Sequence, residues 1–434
     1  MEPIKSYAQA LELMYRQLPM FHRIGTAAYK KDLTNTLALC SANDQPHLKF
    51  PTVHIAGTNG KGSVSHLIAA LLQSHGYKTG LYISPHYRDF RERIKINGEY
   101  IPQRKVIDFL QRNREVMAEI QPSFFELSVV MAFDHFATEN LDIAVIETGL
   151  GGRLDSTNVI LPLLSVITNI SKDHTDILGE SLQLIAAEKA GIIKNKTPVL
   201  IGRKQEETQR VFEEMAASRE AQLYYAEEML EHDFLQSATS EFRSQIHMKK
   251  PNLDIELVPD LQGIYQQENI RTAIAAYALL HQNQNYKFSP AKVRFALENC
   301  VSLTKIMGRF HWLSRHHPRV LCESAHNEDG IRLTFEQIAK ISFRKLHIVC
   351  GFVKDKSLDH LWNYFPKDAQ YYFCKANIPR GLDAAELQQQ ASGHGLEGRS
   401  YSSVRKALQY AKLSSKKDDL ILVTGSIFVV AEVI

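Results

Sequence analysis

Residues 53–63 read Val-His-Ile-Ala-Gly-Thr-Asn-Gly-Lys-Gly-Ser. A β-branched run gives way to three glycines and a lysine, and then to Val64, Leu67, Ile68, Leu71 and Leu72 at helical spacing. Strand, glycine loop and helix in that order aim backbone N–H groups and a helix N-terminus at a phosphate. Glycine lets the main chain come close to the anion, and the lysine adds a fixed positive charge. The spacing is Gly-x-x-Gly-Lys-Gly-Ser, not Gly-x-x-x-x-Gly-Lys-Ser/Thr, so a tight strand-to-helix turn is the other reading. A lysine between two glycines at a helix start has little packing purpose, which favours the phosphate.

The rest of the chain supplies a scaffold for such a loop. Its 434 residues suffice for two or three domains, and 44% hydrophobic residues give a sizeable core and exclude disorder. With 51 basic and 48 acidic residues, no nucleic-acid partner is expected. Five cysteines, an odd number without a Cys-x-x-Cys pair, read as reduced residues of a cytoplasmic protein, several of them in strands. The first residues lack a signal-peptide core, and no apolar run approaches the roughly 20 residues that span a bilayer, so no membrane partner is expected.

Strand and helix patterns alternate. A helix is expected over 3–18, and a strand at 78–83 as the parallel neighbour of the glycine-loop strand. A hairpin should turn on Asn97-Gly98, followed by helices over 103–120 and 124–139. Residues 141–147 form a buried strand with Glu147 at its C-terminal end, and 164–170 another. A helix over 181–190 stops at Gly191 as its C′ glycine. Further strands, a charged helix and an irregular β region fill 197–260, and Asn269 sits on a helix over 264–283. Val301 to Gly308 reads as a linker, after which strands near 319–322, 345–350, 369–374 and 419–424 restart the alternation. The expected fold class is α/β. A mostly parallel P-loop-type sheet with helices on both faces occupies 1–302, a linker 303–308, and a smaller Rossmann-like domain 309–434.

Ser84, Glu147 and His174 end strands on the same sheet edge as the glycine loop. A hydroxyl, a carboxylate and an imidazole beside a phosphate cradle suit a Mg²⁺–nucleotide site, although Mg²⁺ prefers oxygen and a histidine is unusual there. Each also has a plain structural account: a turn cap, an ion pair with a lysine, a helix cap. Lys189 shares a helical stripe with Leu182, Ile185 and Ala186, where a lysine ordinarily snorkels to water.

Several motifs are collinear: 54–63, Ser84-Pro-His86, 147–158, 167–175, Glu188-Lys-Ala-Gly191, Asn269, Gly308-Arg-Phe310, Ala325-His-Asn327 and Gly425-Ser426. Together they resemble the folylpolyglutamate synthase/dihydrofolate synthase family, within the Mur-ligase-like ATP-dependent amide-forming enzymes. The resemblance implies that Thr58, Asn59, Gly60, Lys61, Gly62 and Ser63 hold ATP phosphates. It implies that Asn269, Arg309, Glu323 and His326 contact ATP across a domain cleft. Ser84, Glu147, His174 and Lys189 match metal-ligand positions, Lys189 as a carbamate able to bind a second Mg²⁺, and a monovalent cation is a further expected ligand. Lys61, His174, Lys189 and Arg309 form the implied catalytic set, and Phe125, Glu126, Arg153 and Asp155 the folate or pteroate side. The family reads Asp-Gly-Ala-His-Asn where this chain has Glu323-Ser324-Ala325-His326-Asn327, which puts the contact at Glu323 in doubt.

The implied reaction makes an acyl phosphate from ATP and a carboxylate, then an amide with L-glutamate, on dihydropteroate, on reduced folates or on both. A monomer is expected. The alternatives are a Mur-type ligase acting on a UDP-linked cell-wall precursor and a non-catalytic nucleotide switch. The Ser-Pro-His and Leu-Asp-Ser-Thr-Asn segments favour folate over the first, and the second α/β domain favours a ligase over the second.

Overall fold

The computed structural model describes residues 3–20, 32–236, 242–354 and 358–434. They form two compact units. The first holds the described residues up to Asp260 together with Tyr265–Lys305, and the second holds Leu261–Ile264 and Ile306–Ile434.

The first unit is built on eight strands: β1 (Thr52–Ala56), β2 (Thr79–Tyr82), β3 (Ile94–Ile96), β4 (Glu99–Tyr100), β5 (Ile143–Glu147), β6 (Leu164–Ile167), β7 (Val199–Ile201) and β8 (Leu223–Tyr225). Their order in the sheet is β4-β3-β2-β5-β1-β6-β7-β8. The pairs β2–β3 and β3–β4 are antiparallel, and every other pair is parallel. Val53, Ile55, Ile143, Val145 and Val166 are fully buried, as near-continuous apolar runs in a sheet covered on both faces require. Helix Phe124–Thr138 packs into the core on one side. Helix Lys61–Ser74 follows β1 and packs against helices Gln266–Gln284 and Pro290–Glu298. A separate antiparallel meander, β9 (Glu231–Gln236), β10 (Phe242–Met248) and β11 (Leu253–Leu257), occupies the region expected to be irregular.

The second unit carries β12 (His311–Ser314), β13 (Arg319–Cys322), β14 (Leu346–Cys350), β15 (Gln370–Cys374), β16 (Gly398–Tyr401) and β17 (Leu420–Thr424), in the order β12-β13-β17-β14-β15-β16. Only β12–β13 is antiparallel. All five cysteines are buried and free, three of them in strands β13, β14 and β15. Among the described residues no helix is long and apolar enough to cross a membrane.

Several sequence expectations need correction. Strand β2 is not the neighbour of β1, because β5 lies between them and pairs with both. The helix expected over 103–120 is two, Gln103–Arg112 and Arg114–Ile120, broken at Asn113. Asn113 Nδ2 donates to Phe109 O at 2.9 Å and to Asn43 Oδ1 at 3.0 Å, a side-chain bond that competes with the helical ladder. Gly191 is not a left-handed C′ residue: its φ is −59°. Its lack of a side chain serves close approach instead, since a Cβ there would sit 2.4 Å from Arg153 Cα. The start of the expected linker lies in a helical turn, Cys300–Thr304, and strands β12 and β16 lay outside the expectations.

Candidate active site

The loop after β1 is tied down at both ends. Gly57 has φ 145°, and a Cβ there would lie 1.9 Å from Thr168 Oγ1, so both the backbone and the space require glycine. Thr58 N–H donates to Asn169 O at 2.9 Å, and Asn59 N–H to Asn169 Oδ1 at 3.0 Å. Thr58 Oγ1 donates to Ser171 O at 3.1 Å. Gly60, with φ 82°, caps helix Lys61–Ser74, and a Cβ on it would meet Asn269 Oδ1 at 2.2 Å. Thr58 and Asn59 are thus tied to the segment after strand β6, and the first N–H groups of the helix have no acceptor within the helix. Asn169 Nδ2 in turn donates to Glu268 Oε1 at 3.2 Å, and Arg203 Nε donates to Glu268 Oε2 at 2.8 Å. Asn169, Glu268 and Arg203 escaped the sequence reading as site residues. Asn169 stood inside a quoted motif, whereas Glu268 and Arg203 carried no local signal.

Two lysines meet at the foot of this loop. Lys61 Nζ donates to Gly57 O at 3.0 Å and to Thr58 O at 3.3 Å. Lys189 Nζ donates to the same Gly57 O at 2.9 Å. Lys189 does not snorkel to water; it is 4% exposed. Burial, reinforced by the Lys61 charge, pulls its pKa down to about 7.

Glu147 ends β5 and is buried. Its Oε2 accepts from Ser84 N–H at 3.1 Å, and a Cβ on Gly62 would lie 3.7 Å from its Oε1. Ser63 Oγ, in the first helical turn, lies 3.4 Å from Gln266 Nε2. His174 adopts φ 52° at the start of helix Thr175–Leu178, and its Nε2 is 4.0 Å from Asp173 Oδ2. Among the described residues no three His, Cys, Asp or Glu side chains gather into a cage. That composition still fits Mg²⁺, which keeps several waters and takes one or two carboxylates together with substrate phosphates. The buried Glu147 carboxylate, beside Gly62 in the first turn of helix Lys61–Ser74, offers an oxygen ligand of that kind.

On the expected folate side, the chain itself engages the carboxylates. Glu126 Oε2 accepts from Ser123 N–H at 2.6 Å, closing a capping box, and from Asn35 Nδ2 at 3.3 Å. Asp155 accepts from Gly149 N–H and Leu150 N–H at 2.8 Å, from Thr157 N–H at 3.0 Å and from Thr157 Oγ1 at 2.5 Å. Burial raises the Asp155 pKa, and these donors pull the other way. The Phe125 ring lies against Gly149, where a Cβ would be 2.4 Å from its Cζ. Arg153 Nε and Nη2 donate to Glu188 Oε1 at 3.1 and 2.7 Å, next to Lys189.

Within the second unit, Glu323 at the end of β13 is buried. Its Oε2 accepts from Phe310 N–H at 2.9 Å, and its Oε1 lies 4.0 Å from Arg309 Nη1. Ser324 Oγ donates to Gly308 O at 3.1 Å, and His326 Nδ1 lies 3.1 Å from Ser324 O. The Glu-Ser pair that departs from the family pattern therefore pins Gly308–Phe310, presenting the half-exposed Arg309.

Comparison with known proteins agrees with this geometry. Residues 55–277 match the Mur ligase middle domain family, and 308–427 match the Mur ligase glutamate ligase domain family. The chain is 30% identical to the dihydrofolate synthase/folylpolyglutamate synthase of Escherichia coli K12, over 87% of this chain and 85% of that one. It is also 30% identical to a probable bifunctional folylpolyglutamate synthase/dihydropteroate synthase of Haloferax volcanii; 91% of this chain matches, but it spans only 47% of that longer protein. The solved structure of E. coli FolC with DHPP and ADP superposes with a TM-score of 0.85 at 25% identity, covering 100% of this chain and 98% of that one. A bifunctional folylpolyglutamate synthase/dihydrofolate synthase from Yersinia pestis, complexed with AMPPNP and a Mn ion, gives a TM-score of 0.82 at 25% identity, covering 100% and 98%. A glycine loop backed by two lysines, a carboxylate at the neighbouring strand end, both Mur ligase domain matches and the 30% identity to the Escherichia coli enzyme place the chain in the folylpolyglutamate synthase/dihydrofolate synthase family of ATP-dependent ligases.

Proposed function

We propose that the enzyme consumes ATP to join the amine of L-glutamate to a carboxylate of dihydropteroate, of a reduced folate or of both. The observation that carries this reading is the meeting of Lys61 and Lys189 on Gly57 O beneath the glycine loop. Lys61 keeps its charge at the foot of the loop, where it can offset a polyanion, while that charge and burial push Lys189 toward its neutral form. The carboxylate of the acid attacks the γ-phosphate, giving an acyl phosphate and ADP. The glutamate amine then attacks the acyl carbon, and phosphate leaves as the amide forms.

Lys61 and the helix N–H groups offset charge as the phosphoryl group transfers. Asn269, and on the second unit Arg309 and His326, are assigned to the nucleotide. Phe125, Glu126, Arg153 and Asp155 shape the loops assigned to the pteroate. Glu147, Ser84 and His174 would hold a divalent cation, which would supply charge neutralisation on the phosphate oxygens. Lys189 is proposed to add CO₂, releasing a proton and becoming a carbamate. A pKa near 7 leaves a large share of its amine in the neutral form that this addition needs. A cytoplasmic monomer is proposed, in keeping with five free thiols.

The test is phosphate release by the purified protein with ATP, Mg²⁺ and L-glutamate, and with dihydropteroate, tetrahydrofolate or a UDP-linked peptide in turn, in K⁺ and in Na⁺ buffers. Release that requires glutamate and a pteroate or folate supports the proposal. Release indifferent to both, or driven only by the UDP-linked peptide, overturns it.

A further inference from the structure

We infer that Lys95 and His66 are positioning residues for phosphate binding: they form a hydrogen-bonded chain that brings the charge of a buried ammonium to the back of the peptide unit opening the phosphate helix. The inference rests on the reading of residues 57–63 as a phosphate loop.

Lys95 lies on β3 and is 1% exposed. Its Nζ is 2.8 Å from Thr304 O, 3.2 Å from His66 Nε2 and 3.4 Å from Lys305 O, and 5.6 Å from the centre of the Tyr100 ring. An ammonium only donates, so His66 Nε2 must accept. The ring proton therefore sits on Nδ1, which donates to Gly62 O at 2.7 Å. That single tautomer satisfies every polar atom in the chain from Lys95 to Gly62.

Gly62 O belongs to the same peptide unit as the Ser63 N–H. Counting from the Gly60 cap, Ser63 is the third helical residue, and its N–H is among those with no acceptor inside the helix. A donor placed on a peptide carbonyl draws electron density from the amide and strengthens its N–H as a donor. The helix dipole already makes this end positive, and the Lys95–His66 chain adds to it from behind, out of reach of solvent. The acceptors around Lys95 are a neutral imidazole and two carbonyls. Burial lowers its pKa to about 8, with Glu92 opposing and Lys305 assisting, so the ammonium form prevails at neutral pH.

The test compares wild type with Lys95→Met, His66→Leu, His66→Gln and the Met/Leu double variant. MgADP binding is measured by calorimetry, KM and kcat by phosphate release, and folding by thermal melting. Lys95→Met and His66→Leu should each raise the MgADP Kd and the ATP KM roughly tenfold, while the glutamate KM stays within about twofold. His66→Gln, whose amide can accept from Lys95 and donate to Gly62 O, should recover most of the affinity. The double variant should lose no more than the weaker-binding single variant, because either change breaks the same chain. Unchanged nucleotide affinity in the folded single variants, additive losses, or a Gln variant as impaired as the Leu variant would each overturn the inference. Should Lys95→Met fail to fold, the Leu/Gln pair at position 66 decides alone. A wild-type protein that does not bind MgADP overturns the phosphate-loop reading itself, a result distinct from normal wild-type binding with indifferent variants.

Discussion

Lys61 and Lys189, 128 positions apart in the chain, donate to one atom, Gly57 O, at 3.0 and 2.9 Å. The contact places two amines at the base of a loop whose Thr58 and Asn59 N–H groups are bonded to Asn169. The Lys61 charge and burial together disfavour a second ammonium there, so the Lys189 pKa falls to about 7.

Replacing Lys61 with Ala should leave the fold intact, since the Gly57 and Thr58 carbonyls that its ammonium bonds lie in its own loop. Glutamate-dependent ADP release should fall by about a hundredfold or more, as loss of a preorganised charge at a transferring phosphoryl group does. Steady-state kinetics beside a melting curve check this, and near-normal turnover removes the loop lysine from catalysis.

Lys189→Met should separate stability from activity. The wild-type lysine has a folded pKa of about 7 against 10.5 for the free side chain, so between those values the unfolded chain binds the extra proton. Wild-type stability should therefore rise with pH across that window, and below about 7 the cost of the buried charge is fully present. In CO₂-free buffer the Met variant should be more stable than wild type at pH 7, and the difference should shrink as pH approaches 10. Denaturant titrations at the two pH values measure it. The variant should also be inactive, and a small carboxylate added to Lys189→Ala should restore part of the rate if a carbamate acts there.

Gly57→Ala and Gly62→Ala should diverge. At Gly57 the added methyl meets Thr168 Oγ1 at 1.9 Å on a backbone with φ 145°, a strain of about 1–3 kcal/mol or more. At Gly62 the nearest atom is Glu147 Oε1 at 3.7 Å, ordinary contact. The first variant should lower the melting temperature and nucleotide affinity together. The second should melt near wild type, and any change in it should show in the Mg²⁺ dependence of the rate.

Asp155→Ala should destabilise the first unit by about 3 kcal/mol, because three backbone N–H groups and the Thr157 hydroxyl lose a buried acceptor. Asp155→Asn retains one acceptor oxygen and should cost less. Equilibrium unfolding of both variants is the measurement, and equal stabilities would show that the loop 149–157 is held by other contacts.

The local parts of this enzyme were legible because their causes are local. Alternating strand and helix patterns around 52–74 and 319–424 carry their own periodicity, and Gly57 and Gly60 announce a backbone only glycine tolerates. The insertion of β5 between β1 and β2 depends on which crossover the chain takes, a choice no window of sequence contains. Asn113 breaks a helix through its amide exchange with Asn43, 70 residues away. Lys189 looked like a surface lysine with an apolar stem; its burial follows from Gly57 O, 132 residues earlier. Glu268 and Arg203 brace the loop through Asn169, a relation visible only once strand β6 is placed beside β1.

The rims of the two sheets have a consequence for how the chain behaves among its own copies. The wide sheet ends on one flank in β4, two residues long and bearing the exposed Glu99, and on the other in β8, three residues long. The narrower sheet ends in β16, which carries the exposed Arg399 and Ser400. An approaching strand finds few consecutive donors and acceptors to pair with, and at β4 and β16 an exposed charge beside it. The Val- and Ile-rich interior strands, which alone would template fibrils, thus lie inside borders two to four residues long.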